Sequence, residues 1–244
     1  MIYRAMTIKE SIHKRIFINT LTQFGSKGFS VALSLLTVSL LTRYLGTEGY
    51  GNFTLVFTYI SLFAVLTDIG FNQIVVREFA NQKEKSPETK ASFLNLKVIL
   101  IVIGIILPLI ALPIFPYSSD LRNAIVIGAF AVACGNMVSF GTSILQSQLK
   151  LDVVAFLDLL MKLASVLVVY LFIQWHLNFY YIIGAILVGN LCGLMGVLLF
   201  VKKQLAFKFY LDIGLVKRLL KLGIPVGISS FLAVLYFKVD TLML

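Results

Sequence analysis

The sequence predicts an all-α polytopic membrane protein, and three observations carry that prediction. Of the 244 residues, 59% are hydrophobic and only 13% charged, with a mean hydropathy of +0.95; a soluble domain carries about 25% charged residues. The apolar residues fall in long runs, and about 20 of them suffice for a helix to cross a hydrocarbon core of roughly 30 Å. The basic residues sit in blocks between those runs, which sets membrane topology and does not form the aromatic-interleaved stripe of a nucleic-acid binder. Cys134 and Cys192 both lie inside apolar runs, so a disulfide framework is not expected.

Seven spans are expected in order, at about 16–42, 52–74, 92–115, 121–146, 154–174, 179–201 and 223–244. The first run is too long for a signal-peptide core and lacks a small-residue cleavage site, so it belongs to the mature chain. The connections leave no room for a folded soluble domain. The expected organisation is a basic amphipathic segment at 1–15, a six-helix N-terminal lobe at 16–201, a basic amphipathic linker at 202–222 and a seventh helix at 223–244.

Basic residues near span ends accumulate on one side. Arg4, Lys9, Lys14, Arg15, Arg77, Lys83, Lys85, Lys90, Lys150 and six residues between Lys202 and Lys221 make fifteen, against Arg43 and Arg122 on the other. The positive-inside bias therefore puts the N-terminus in the cytoplasm.

Polar residues within the spans are the candidate functional groups, because a charge at mid-bilayer costs about 2.5–3.5 kcal/mol on insertion scales. In the first span Asn19, Gln23, Ser26, Lys27, Ser30, Ser34 and Thr37 draw a stripe along one helix face. Lys27 lies roughly 16 Å and 22 Å from the span's two ends at 1.5 Å per residue, too deep to snorkel fully. It either lines a hydrated cavity or belongs to a buried ion pair. Asp158 and Lys162 lie one turn apart on the fifth span. They either neutralise each other or leave Lys162 partly open to cargo. Lys97 is close enough to its span end to snorkel, and Asp68, near Gly70, suits a hinge or loop contact. In the seventh span Pro225 occupies the first turn, and Lys238 and Asp240 point in different directions some 22 Å farther along. One of that pair faces a cavity and the other meets a partner; Asp240 could alternatively couple to a proton or cation.

The chain closes as Phe237-Lys238-Val239-Asp240-Thr241-Leu242-Met243-Leu244 with no polar or aromatic flank, so a continuation is expected. Lys14-Arg15-Ile16-Phe17 before the first span is loosely repeated as Lys217-Arg218-Leu219-Leu220 before the seventh. Paired halves are common in transporters, and the pattern suits one six-helix half followed by the first helix of the next.

Several segments carry a family resemblance. Thr42-Arg43-Tyr44-Leu45-Gly46-Thr47-Glu48-Gly49-Tyr50-Gly51 resembles the first external loop of polysaccharide-transporter flippases, within the multidrug/oligosaccharidyl-lipid/polysaccharide exporter superfamily. Its three glycines permit a tight reversal. Thr67-Asp68-Ile69-Gly70-Phe71 with Arg77-Glu78, Leu219-Leu220-Lys221-Leu222-Gly223-Ile224-Pro225 and Tyr236-Phe237-Lys238-Val239-Asp240 match in the same order. The resemblance implies a twelve-to-fourteen-helix flippase fold, of which this chain holds the first lobe and the first helix of a second, missing C-terminal lobe.

It also implies a function. Such flippases move undecaprenyl-pyrophosphate-linked oligosaccharide repeat units across the bacterial inner membrane, and glycan polymerase machinery is a further expected partner. Lysine ammoniums are strong point charges for phosphate, so the expected substrate-binding residues are Lys27, Lys162 and Lys238, with Asp158 and Asp240 as partners. No cofactor and no nucleic acid is expected. A cation-coupled multidrug exporter is the nearest rival, although it would present an acid where the first span has Lys27. A membrane enzyme has little to work with: His13 and His176 flank spans at opposite faces, and there is no Asp-x-Asp pair or phosphate-binding glycine loop. A non-transporting scaffold is the third reading. Transport is expected to need the opposing lobe.

Overall fold

A computed structural model describes the backbone of residues 2–68, 70–80, 86–202 and 208–243, and side-chain surroundings at most positions from Gly25 onward. The helices are α1 (Ile2–Asp68), α2 (Phe71–Ala80), α3 (Pro87–Ala111), α4 (Ser119–Ser147), α5 (Leu151–Gln174), α6 (Phe179–Val201) and α7 (Ile213–Met243), with a 3-10 turn at Leu112–Ile114. No strand occurs among the described residues. Five described stretches are long and apolar enough to cross a membrane: Gly25–Ala64, Pro87–Ile114, Ser119–Ser147, Leu151–Gln174 and Phe179–Val201.

The first two expected spans share α1, which is interrupted at Gly46 (φ 69°, ψ −172°). The contacts on either side show that the chain reverses there. Before Gly46, Ser30 meets Asp158 and the Tyr44 hydroxyl donates to the Leu177 carbonyl at 3.1 Å, so this limb runs parallel to α5. After it, the Tyr59 hydroxyl donates to the Pro108 carbonyl at 2.8 Å and Asp68 reaches Lys97, so the second limb runs antiparallel to α3. Helices α3 and α5 both run opposite to α4: Phe93 clusters with Phe140 and Leu112 with Leu121, while α6, parallel to α4 through Gly128–Ile183 and Gly141–Val197, is antiparallel to α5 through Gly189–Ser165 and Gly196–Leu157.

The expected external loop is thus a single residue. Gly49 and Gly51 are helical and have no positive φ; only Gly46 needs a conformation that a side chain resists. Gly46→Ala is expected to cost about 1–3 kcal/mol, whereas Gly51→Ala, with nothing near its Cβ, should gain about 0.5–1 kcal/mol from helix propensity. Thermal unfolding of the detergent-solubilised variants should move in opposite directions.

Two other boundaries differ from expectation. The second span does not continue to residue 74. Gly70 (φ 65°) ends the run, and α2 follows as a short amphipathic helix that buries Phe71, Val75 and Phe79 at four-residue spacing while Arg77 faces outward. Helix α7 begins at Ile213, ten residues before the expected start, so Pro225 lies inside the helix and not in its first turn. The Asp212 carboxylate accepts from the Gly214 and Leu215 amides at 2.8 and 3.2 Å, a side-chain cap that starts the helix.

Three buried clusters hold the bundle. One joins α2, α3, α4, α5, α6 and α7 around Phe93, Phe140 and Leu157. A second, at the opposite end, joins Val56, Tyr59 and Ile60 to Leu112, Leu121 and Ile125; there Tyr59 stands edge-on to Phe115 and Tyr117, and burial raises the Tyr117 phenol above its ordinary pKa. The third packs Leu41 on Val169, Ile182 and Ala185. Between α5 and α6 the approach is close at Gly189, Gly193 and Gly196, which face Ser165, Met161 and Leu157. Small residues let helix backbones approach where water supplies no hydrophobic drive.

Candidate functional site

A cavity of about 700 Å³ lies between α1, α4, α5 and α6. Its lining runs along α4 from Val132, near that helix's midpoint, to Gln146 at its end, and along α5 from Leu151 to Met161. The space therefore reaches from mid-bundle to the end that bears Lys150. Ser26 and Lys27 of α1 and Asn190 of α6 complete the wall.

The expected site residues separate in this geometry. Lys27 is exposed, lines the cavity and has no acid within ion-pair distance among the described residues. Ser30 is level with Asp158, and Lys27 is three residues earlier on a limb parallel to α5, which places it roughly 6 Å inside the level of Leu151 at 1.5 Å per residue. Lys27 thus lies toward the Lys150 end of the cavity.

Asp158 also lines the cavity, but its carboxylate is engaged: it accepts the buried Ser30 hydroxyl and lies 3.9 Å from the Lys162 ammonium. Lys162 is absent from the lining. It donates to the Ser30 carbonyl at 3.3 Å and lies 3.9 Å from the Asp158 carboxylate, with its side chain 35% exposed. Asp158 and Lys162, one turn apart on α5, thereby offset each other's charge, and no ion-pair partner of Lys27 lies among the described residues. The side chains of Lys238 and Asp240 lie outside the described residues.

The polar stripe of α1 is less wet than its spacing suggested. The Ser34 and Thr37 hydroxyls donate to carbonyls of their own helix, Ser30 and Leu33, both at 2.9 Å. The side chains of Asn19 and Gln23 are outside the described residues. Lys97 does not snorkel. It is 1% exposed, its Nζ lies 3.0 Å from Asp68 Oδ1 and 5.4 Å from the centre of the Phe71 ring, and Asn72 donates to the same Asp68 oxygen. The turn at Gly70 brings Asp68, Phe71 and Asn72 together over α3, which no local reading of Lys97 could foresee.

Sequence reasoning passed over the α4 wall. Asn136, Ser139, Thr142 and Gln146 all line the cavity, and their spacing of three, three and four residues was legible as one face of a helix. Asn190 reaches the same wall from α6 and donates to the Ala131 carbonyl at 2.8 Å.

Membrane-length apolar helices packed around an open polar cavity define a multi-pass membrane protein. The family described as polysaccharide biosynthesis protein matches residues 13–244, and the chain belongs to that family. No curated protein and no solved structure matches the chain.

Proposed function

We propose that the protein is a flippase that carries undecaprenyl-pyrophosphate-linked oligosaccharide units from the cytoplasmic to the periplasmic leaflet of a bacterial inner membrane, by a non-enzymatic, alternating-access route. The observation that carries this reading is the Lys27 ammonium, without an ion-pair partner among the described residues, on the wall of a large cavity whose one described acid, Asp158, is already held by Ser30 and Lys162. A pyrophosphate brings negative charge and acceptor oxygens, and an ammonium on the cavity wall meets both. The prenyl tail stays in the bilayer while the head group occupies the cavity. The excess of basic residues on the Lys150 side supports a cytoplasmic opening and a cytoplasmic N-terminus. A second lobe supplies the opposing wall. Asp158 and Asp240 are the features that would favour a cation-coupled exporter, and Asp158 already has Ser30 and Lys162 as partners.

Translocation of a fluorescent lipid-linked oligosaccharide by the full-length protein in liposomes tests this. Lys27→Ala is expected to slow translocation about tenfold, the equivalent of one lost charge-assisted contact of about 1.4 kcal/mol, and Lys27→Arg to retain most of it. Undiminished translocation by a normally inserted Lys27→Ala protein would remove Lys27 from the mechanism. Binding of cationic drugs without binding of lipid pyrophosphate would favour the exporter.

A further inference from the structure

We infer that the α4 wall of the cavity reads the sugar of the cargo, separately from the ammonium that holds its pyrophosphate; the inference rests on the flippase reading above. Asn136, Ser139, Thr142 and Gln146 fall within an arc of about 120° on α4, and all four line the cavity. The Thr142 hydroxyl donates to the Ser139 carbonyl at 3.0 Å. The side chains of Asn136, Ser139 and Gln146 make no hydrogen bond with another described group. Ser139 and Gln146 are exposed and Asn136 is half-buried, so these three are available to a polar occupant of the cavity.

The chemistry of the wall is that of a hydroxyl reader. An amide offers two donors and an acceptor, and a serine hydroxyl offers both roles. A sugar hydroxyl, itself donor and acceptor, can engage every one of these atoms, whereas a pyrophosphate accepts only. Backbone geometry holds the wall in place. Asn190 is pinned to the Ala131 carbonyl, and a Cβ at Gly135 would sit 3.2 Å from the Asn190 amide nitrogen, so the glycine leaves room for this cross-link beside Asn136. Lys27 faces the cavity from a different helix. One cargo molecule can therefore place its phosphates toward α1 and its first sugar toward α4.

The test uses the full-length protein in nanodiscs, titrated with undecaprenyl pyrophosphate and with its N-acetylglucosamine, glucose and galactose derivatives. At least one glycosylated lipid should bind about tenfold more tightly than the bare lipid, a gain matching one or two neutral hydrogen bonds. Asn136→Leu and Gln146→Met should each lose most of that gain while affinity for the bare lipid stays within about twofold. Gln146 is exposed at the open end of the wall, so its variant reads out recognition even if Asn136→Leu folds poorly. A sugar gain that persists in Gln146→Met and in folded Asn136→Leu would overturn the inference, as would an equal loss for bare and glycosylated lipids. A wild-type protein that binds the bare lipid with no sugar gain also overturns it but leaves the flippase reading intact; one that binds none of the four lipids contradicts the flippase reading itself.

Discussion

Asp68→Leu is expected to destabilise the protein by about 3–5 kcal/mol, the usual consequence of stranding one member of a buried ion pair. The effect should be strongly asymmetric. Lys97 is 1% exposed whereas the Asp68 side chain is 35% exposed. Removing the acid leaves the ammonium, among the described residues, with the Phe71 ring 5.4 Å away, and a cation–π contact replaces only part of what a carboxylate supplies. Removing the base leaves Asp68 with the Asn72 amide at 3.1 Å and with solvent. Lys97→Met should therefore cost far less, about 1.5 kcal/mol or below. The double variant Asp68→Leu/Lys97→Met should recover much of the loss caused by the first change alone. Thermal unfolding of all four proteins in detergent reads this out as a double-mutant cycle. Equal destabilisation by the two single variants would show that the pair is not governed by the burial of Lys97.

The second large effect concerns the contact between α5 and α6. A Cβ at Gly189 would lie 2.8 Å from the Met161 carbonyl oxygen and would also collide with the Ser165 side chain. The first of these is backbone and cannot rotate away, so Gly189→Leu must push the helices apart. Overpacking typically costs 1–3 kcal/mol, and with a fixed carbonyl as the obstacle the expected loss is about 3 kcal/mol or more. The same substitution at Gly184, which has nothing within 4 Å of a Cβ, should leave the unfolding temperature nearly unchanged. Separation of α5 from α6 would also shift Met161 and Asn190, both on the cavity wall, so residual folded Gly189→Leu should bind cargo weakly.

What could be read from the amino acids depended on how local the cause was. Helix α6 appears at the expected residues, 179–201, and α5 within a few residues of its expected start, because each is an uninterrupted apolar run between polar turns. The break at Gly70 was hidden because Phe71, Ile74, Val75 and Val76 extend the apolar run while serving a short helix that packs on its neighbours. The start of α7 was hidden by its amphipathic first turns, although Asp212 followed by Ile213 and Gly214 is a capping sequence. In the site, Lys27 and Asp158 stood out as charges inside apolar runs. Asn136, Ser139 and Gln146 did not, since neutral amides and hydroxyls barely lower a span's average hydropathy. The partners of Lys97 and Lys162 required tertiary structure: Asp68 is 29 residues from Lys97, and Ser30 is 132 residues from Lys162.

The Lys27 ammonium has no ion-pair partner among the described residues whereas Lys162 faces Asp158, so the proposed flippase should receive the negative head group at Lys27 and not at Lys162. Binding of bare undecaprenyl pyrophosphate to the full-length protein and to Lys27→Gln and Lys162→Gln variants in nanodiscs tests it most directly. Lys27→Gln is expected to weaken binding about tenfold, with the difference shrinking as salt is raised, while Lys162→Gln binds within about twofold of wild type. Wild-type affinity in Lys27→Gln, or a larger loss in a well-folded Lys162→Gln, would contradict it.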